Sequence, residues 1–454
     1  VTETTGCLES LVSAQLLETG SPGRYRFHDL VRRYASKLAS SETLDVDAAV
    51  SRLLDFYACA AERASEAYEK DRQPADRATT RVSLPLLQSR SDALGWFDAE
   101  RANLVAMSEL STRHGTDHAI RLSQQCARYL RSHYREALEI HQRACAAAHK
   151  RADYRTEAYA LIELGAATIF IGATRAASHH YQQALACAEQ AGDTALQARA
   201  RTCLGYACAR RAEYDQASEH LHHAYALNSA NGDKHGVILV LRQLGNMAVY
   251  QGRTEDAIAC YREALAITRE IGDATEEANL NTSLGFAYAI LHDFPLALHH
   301  HQKALRLFRK VGLRTCESLS LVGIANALRG LGQLDDALTH ATEALRIAEQ
   351  LSDTNNRFEA KVTLGRIHRT AGRPHDGIPL LLEALALARV LAQPADIARA
   401  HDALAAAYHV LGRATETEHH RAQAKALYHR LGMPGAFEVE EDMPDPTRQT
   451  QHSA

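Results

Sequence analysis

The 454-residue sequence lacks the short signatures that mark most enzymes. It has no G-x-x-x-x-G-K-[ST] phosphate loop and no Gly-Lys pair. A nucleoside triphosphate is cradled by a lysine and a glycine-rich turn at a helix N-terminus, so nothing here can hold one. H-E-x-x-H, G-x-S-x-G and the kinase signatures are also missing, and no catalytic activity is expected. Paired acids such as Glu276-Glu277 and Asp335-Asp336 fall near helix N-termini, where they favour the helix dipole rather than forming an acid–base pair. No run of 18 apolar residues and no secretory leader is read, so no membrane span is expected. A net charge of −4 argues against general binding to nucleic acid or acidic lipid. The nine cysteines are odd in number and show no C-x-x-C spacing. They fit buried thiols in a reducing cytoplasm.

What the chain does have is a forty-residue period. One column reads Gly165, Gly205, Gly245, Gly285, Ala325, Gly365, Ala405, each preceded by leucine or isoleucine. A second column is alanine throughout, from Ala184 to Ala424, and a third is small from Ala177 to Ala337. The register does not slip over seven copies. Such a period means a solenoid whose units bury their apolar faces only against neighbours. Each unit reads as a helix pair. In 236–273, Val240, Leu244 and Ala248, then Ala257, Tyr261, Ala264 and Leu265, recur at three- and four-residue spacing. Gly252 marks the break, Thr254 and Asp256 offer oxygen near the second helix's start, and Gly272-Asp273 opens the next unit. The small columns let helices approach to about 8–10 Å.

Leu244-Gly245, Ala257, Tyr261 and Ala264 resemble the tetratricopeptide repeat, in the longer form similar to kinesin light chains and bacterial signalling regulators. The resemblance covers roughly 155–432, with an eroded unit before it at Glu136-Ala137 and Ala144. It implies an all-α fold, a right-handed α-α superhelix. The expected division is a partial winged helix at 1–43, a helical spacer at 44–115 with a looser stretch near Asp71–Arg81, the solenoid at 116–432 and a disordered acidic tail at 433–454.

The N-terminal segment carries a second resemblance. Cys7 to Leu16 reads as a helix, Ser21-Pro22-Gly23 as a turn, Tyr25-Arg26-Phe27 as a strand and His28 to Leu38 as a helix. This is similar to the end of the winged-helix module in STAND-type (NB-ARC) signalling ATPases. That family's Met-His-Asp motif matches Phe27-His28-Asp29, with Phe standing where Met is usual. The resemblance implies that His28 and Asp29 sense the phosphate of a bound nucleotide. RYRFHDLVRRYA, followed by Trp96 to Leu104, resembles actinobacterial regulators of the Streptomyces antibiotic regulatory protein type. The chain opens at Val1 inside this module. It is therefore expected to belong to a longer protein, and ADP or ATP would bind only in an upstream module. The basic residues Arg24, Arg26, Arg32, Arg33 and Lys37 also allow a DNA-binding winged helix. Asp29 on the recognition helix and the missing N-terminal half disfavour that reading.

The 25 histidines include a periodic column, His180, His220, His300, His340 and His420. Zinc holds its nitrogen ligands at about 2.0–2.1 Å. Stacked repeats sit roughly 10 Å apart, so neighbours in the column cannot share an ion. The column reads as a half-buried inter-repeat position, with a pH-responsive ladder as the alternative.

The resemblance places the first helix of each pair on the concave face. The columns one after, three before and four after the glycine should point there. Polar donors then cluster in the middle and late repeats: Arg242, Gln243, Asn246, Asn326, Arg329, Arg366 and Arg369. Asparagine amides suit a peptide backbone and arginine grips carboxylates; the same residues also suit a merely solvated groove. Two functions follow. One is the signal-sensing, protein-interaction arm of a STAND-type transcription regulator, receiving a peptide or partner protein, or its own upstream nucleotide-binding domain. The other is a free-standing scaffold or peptide receptor.

Overall fold

The computed structural model describes residues 2–21, 24–41, 45–68, 84–131, 133–211, 213–351, 353–391 and 393–431. The expected acidic tail and the looser stretch at 71–81 lie outside these residues. The chain forms two compact units, Val1–Tyr129 and Leu130–Ala454.

In the first unit, α1 (Thr2–Ser13) leads into the strands β1 (Leu17–Ser21) and β2 (Arg24–Phe27), then α2 (Asp29–Ser41), α3 (Val46–Tyr68), α4 (Arg90–Arg113) and α5 (His118–Leu130). The strands form an antiparallel hairpin with Leu17 opposite Phe27 and Glu18 opposite Arg26. The Trp96 to Leu104 phrase lies on α4. Ser89 and Asp92 close a capping box at its start, which satisfies N–H groups the helix cannot pair internally. Phe97 is fully buried and stacks on Tyr129 at 4.6 Å. The Tyr129 hydroxyl donates to Asp98 at 2.8 Å.

The second unit begins with α6 (Tyr134–Lys150) and continues as seven helix pairs. The first helices are α7 (Tyr154–Phe170), α9 (Thr194–Arg210), α11 (Lys234–Tyr250), α13 (Ala274–Ile290), α15 (Arg314–Gly330), α17 (Thr354–Thr370) and α19 (Pro394–Val410). The second helices are α8 (Thr174–Gln190), α10 (Tyr214–Ala230), α12 (Thr254–Ile271), α14 (Phe294–Val311), α16 (Leu334–Gln350), α18 (Pro374–Val390) and α20 (Ala414–Arg430). Apart from the hairpin, the described elements are all helices. The forty-residue register thus fixes where every helix of the array begins.

The caps explain the punctuation. Asp153, Asp193, Asp233, Asp273 and Asp353 each accept a backbone N–H three residues on, at 2.9–3.1 Å. Leu313 occupies the same place before α15 and makes no side-chain cap. Gly272, with φ 74°, closes α12 in the left-handed conformation that glycine adopts without strain. Thr254 and Asp256 do not cap α12. Arg253 stands at its N-cap without a side-chain bond, and Asp256 takes Arg253 Nη1 at 3.1 Å instead. At α12 burial holds the first turn instead, with Thr254 5% exposed, whereas α14 is capped by Asp293, which accepts the Leu296 N–H at 3.1 Å.

The glycine column has a specific partner sixteen residues on. A Cβ at Gly165 would lie 2.4 Å from the Tyr181 ring, at Gly245 2.4 Å from the Tyr261 ring, and at Gly205 and Gly365 2.5 Å from Leu221 and Leu381. Where the column holds Ala325, the residue sixteen on is Ala341, and both are fully buried. Volume is therefore exchanged across the pair. His301 takes the tyrosine's place in the fourth pair. A Cβ at Gly285 would meet it at 2.6 Å and one at Gly323 at 2.4 Å, so it fills a slot between two repeats. It is buried, and burial pushes its imidazole down to about 3. The periodic histidines, by contrast, are all half-buried. Among the described residues no cluster could hold a metal ion. All nine cysteines are thiols; Cys59, Cys126 and Cys208 are buried, five are half-buried, and Cys7 is exposed. No described helix is long and apolar enough to cross a membrane.

Candidate interaction channel

Successive first helices pack directly on one another, from α7 on α9 to α17 on α19. Among the described residues no two successive second helices do so to a comparable degree. A double row that is tighter along one edge curves towards that edge, so the free face of the first helices is the inner one. The electrostatics agree. On α9, Arg210 donates to the Tyr206 hydroxyl at 3.1 Å. Burial opposes the charge of Arg210, but Tyr206, Tyr250 and the carboxylate of Asp396 outweigh it. Asp396 belongs to α19, five repeats further on. Charges that far apart in sequence feel one another only across the inside of the curve.

Tyr250 shows what kind of space this is. It is 47% exposed, yet burial, with help from Tyr206, pushes its hydroxyl above the ordinary tyrosine range. Tyr250 thus stands half open on the first-helix face, within electrostatic reach of Tyr206 and Arg210. Phe170, Phe286 and Ile290 are exposed to a similar degree on the same row of helices, at 48%, 41% and 40%.

The sequence-derived residues take different roles on this face. The column one after the glycine is water-accessible in all seven repeats. Asn246 and Asn326 stand in it, each already engaged. Asn246 Oδ1 accepts from the Tyr261 hydroxyl at 2.7 Å, and its Nδ2 donates to Gln243 Oε1 at 3.3 Å. Asn326 Nδ2 donates to the Val322 carbonyl and to Thr363 Oγ1, both at 3.1 Å, which ties α15 to α17. Arg366 stands in the same column and acts electrostatically on Glu359, two helical turns earlier on α17. The column three before the glycine departs from expectation. Ile162, Thr282, Val322, Val362 and Asp402 are buried, because that position falls on the contact between successive first helices. Arg242, from this column, is half-buried and forms an ion pair with Glu276 of α13, Nε to Oε1 2.8 Å. Arg329 and Arg369, four after the glycine, are half-buried.

A column that sequence reasoning overlooked lies six before the glycine. It is half-buried in every repeat and holds Tyr159, Arg199, Asn279, Glu359 and Arg399. Arg399 grips Glu359 of the preceding repeat with two bonds of 2.7 Å and also donates to Asp396 at 3.1 Å. Arg199 pairs with buried Glu163 and lies 5.0 Å over the Tyr159 ring. Its signal was the fixed offset of one further helical turn. In the first unit, His28 Nδ1 lies 3.2 Å from Glu18, both about half exposed. Asp29 lies 3.5 Å from Arg32.

Residues 196–270, 276–350 and 316–389 match the tetratricopeptide repeat, and the repeats are of that kind. The chain is 42% identical over 115 residues to the regulatory protein AfsR of Streptomyces coelicolor. That stretch is 23% of this chain and 11% of the relative, so the chain spans only a small part of it. Two solved structures share the fold. The Rap conjugation gene regulator of the plasmid pLS20, solved with the Phr* peptide, superposes with a TM-score of 0.56 at 14% identity, over 75% of this chain and 97% of that one. A STAND protein with a tetratricopeptide repeat sensor from Pyrococcus horikoshii gives a TM-score of 0.50 at 16% identity, over 96% and 60%.

Proposed function

We propose that the array is the signal-sensing, protein-interaction region of a STAND-type transcription regulator, non-catalytic in itself, and that a peptide or partner segment binds along its inner channel. The observation that carries this is the column one after the glycine, open to water in all seven repeats on the free face of the first helices. The regulator relative supports the cellular role, and the peptide in the pLS20 regulator supports the ligand type. In a longer protein, His28 and Asp29 would face a nucleotide held by an upstream module.

The test is to pan a random decapeptide display library on the 454-residue chain. Recovered peptides are expected to slow amide exchange along the first helices from α11 to α17. Charge-assisted hydrogen bonds contribute about 1.5–3 kcal/mol each. Arg366→Ala with Arg369→Ala should therefore weaken binding at least tenfold, with helical content and melting unchanged. Added salt should weaken it too, since the channel is wet. No enrichment, or protection confined to the second helices, would overturn the proposal.

A further inference from the structure

Four polar side chains from three helices gather on the early part of the inner face. Tyr206 and Arg210 stand one turn apart on α9, Tyr214 opens α10, and Tyr250 ends α11, forty residues after Arg210. Arg210 Nη1 donates to the Tyr206 hydroxyl at 3.1 Å, and its guanidinium carbon lies 5.8 Å from the centre of the same ring. Tyr206 accepts through its oxygen, which leaves its own hydrogen to donate. Tyr250 feels Tyr206, Arg210 and Tyr214 at once. Burial pushes the hydroxyls of Tyr214 and Tyr250 above the ordinary tyrosine range, so both are protonated donors at neutral pH. Arg210 forms no ion pair among the described residues. The carboxylate that acts on it, Asp396, does so from beyond ion-pair distance and is bonded to Arg399 at 3.1 Å. A guanidinium and three phenols thus offer donors on one wall with no carboxylate seated among them. Phe170 and Phe286, exposed on the flanking first helices α7 and α13, set this polar group between aromatic surfaces.

We propose that this group anchors a carboxylate of the bound peptide, with the Nε and Nη2 edge of Arg210 on its two oxygens and the hydroxyls of Tyr206, Tyr214 and Tyr250 donating around it. The proposal rests on the channel being the binding site and adds where the ligand's charge sits. Arginine grips a carboxylate with two parallel N–H bonds, and the phenols add donors without adding charge, so an anionic group is favoured over a neutral or cationic one. Tyrosine and arginine are also the side chains enriched where binding energy concentrates. Tyr206 and Phe286 lie two repeats apart on the same column. Two repeats span roughly 20 Å at a helix spacing of about 10 Å. An extended chain covers about 3.3–3.6 Å per residue, so an apolar side chain over Phe286 stands roughly six residues from the carboxylate.

Decapeptides recovered by panning and resynthesised with free termini test this. Each carboxylate of a peptide is converted in turn to its amide, the C-terminal one included, which separates side-chain from terminal sources. One conversion should weaken binding by roughly ten- to a hundredfold. Arg210→Gln should weaken the parent peptide by a similar factor and show no further loss with that amide. Arg210→Lys should keep part of the affinity, because the charge remains and the fork is lost. Tyr250→Phe, which keeps the ring, should weaken binding about threefold or more by removing one donor. Melting should hardly change in these variants, since Arg210 and Tyr250 are exposed. Amide exchange should slow at the end of α9 as well as on the later first helices. Losses from Arg210→Gln and from the amide that simply multiply would overturn the proposal while leaving the channel as a peptide site. So would peptides whose amides all bind as the parent does, or protection that stops short of α9. No enrichment at all would remove the channel and its anchor together.

Discussion

Gly245→Ala is expected to destabilise the array by about 2 kcal/mol in the natural background and to be neutral or stabilising once Tyr261 is also alanine. The new methyl carbon would stand 2.4 Å from the Tyr261 ring, which is 2% exposed and cannot swing out. Overpacking of this kind costs typically about 1–3 kcal/mol or somewhat more. Alanine recovers up to about 1 kcal/mol of helix propensity over glycine. Tyr261→Ala alone should cost about 3–5 kcal/mol, by analogy with other buried aromatics, and it also removes the hydroxyl that donates to Asn246. In the double variant the clash is gone and the propensity gain remains, leaving the Ala–Ala arrangement that Ala325 and Ala341 already show. The sign of the Gly245→Ala effect should therefore reverse between the two backgrounds. Denaturant unfolding of the four proteins measures this, with amide exchange in α11 and α12 reporting the local part. An effect of the same sign in both backgrounds would mean that the helix approach is not set by this pair.

Acidification from pH 7 to pH 4 is expected to remove several kcal/mol of stability, starting well above the carboxylate range. Burial pushes His141 down to about 4 and His301 down to about 3. The unfolded chain takes up these protons near pH 6.5, before the folded one does. Stability is therefore complete above pH 6.5 and falls as pH drops towards the folded values. Each pKa unit corresponds to about 1.4 kcal/mol. Glu163 and Glu359 add a second, lower step. Burial opposes their ionisation, but Arg199 and Arg399 overcome it and hold both carboxyls below the usual range. Their contribution is present above about 4.5 and is lost as pH falls through the depressed folded values. His301→Leu should flatten the first step, since Leu221 and Leu381 already oppose glycines in the same way. Melting at pH 7.5 and pH 5 compares the two proteins. An equally steep loss in the variant would exclude His301 as a source.

The helix pairs were legible in the sequence because seven copies in one register repeat their small and large columns without a slip. The channel was legible only in part. The column after the glycine lies on the inner face, as its offset implies. The column three before it does not remain open, because a three-residue step rotates Val322 and Val362 into the contact between first helices. The column six before, with Glu359 and Arg399, is hard to see because its residues differ from copy to copy. The influence of Asp396 on Arg210 depends on accumulated curvature, which no single repeat encodes. His301 could not be told from its neighbours in the triplet, since the slot it fills is opened by two glycines, Gly285 and Gly323. Gly285 belongs to the repeating column, but Gly323 is the sole glycine at its position in the seven copies. Its role becomes visible only once α15 is packed on α14.

The uneven packing of the two helix rows has a mechanical consequence. With the first helices in direct contact and the second helices spread apart, the array behaves as a coil spring with a stiff inner seam and a compliant outer one. A small change of tilt at one interface recurs at each of the others and adds along the coil, so the ends move much further than any single pair. Anything that wedges or cinches the bore is converted into end-to-end displacement, which small-angle scattering with and without a selected peptide would register as a change in radius of gyration.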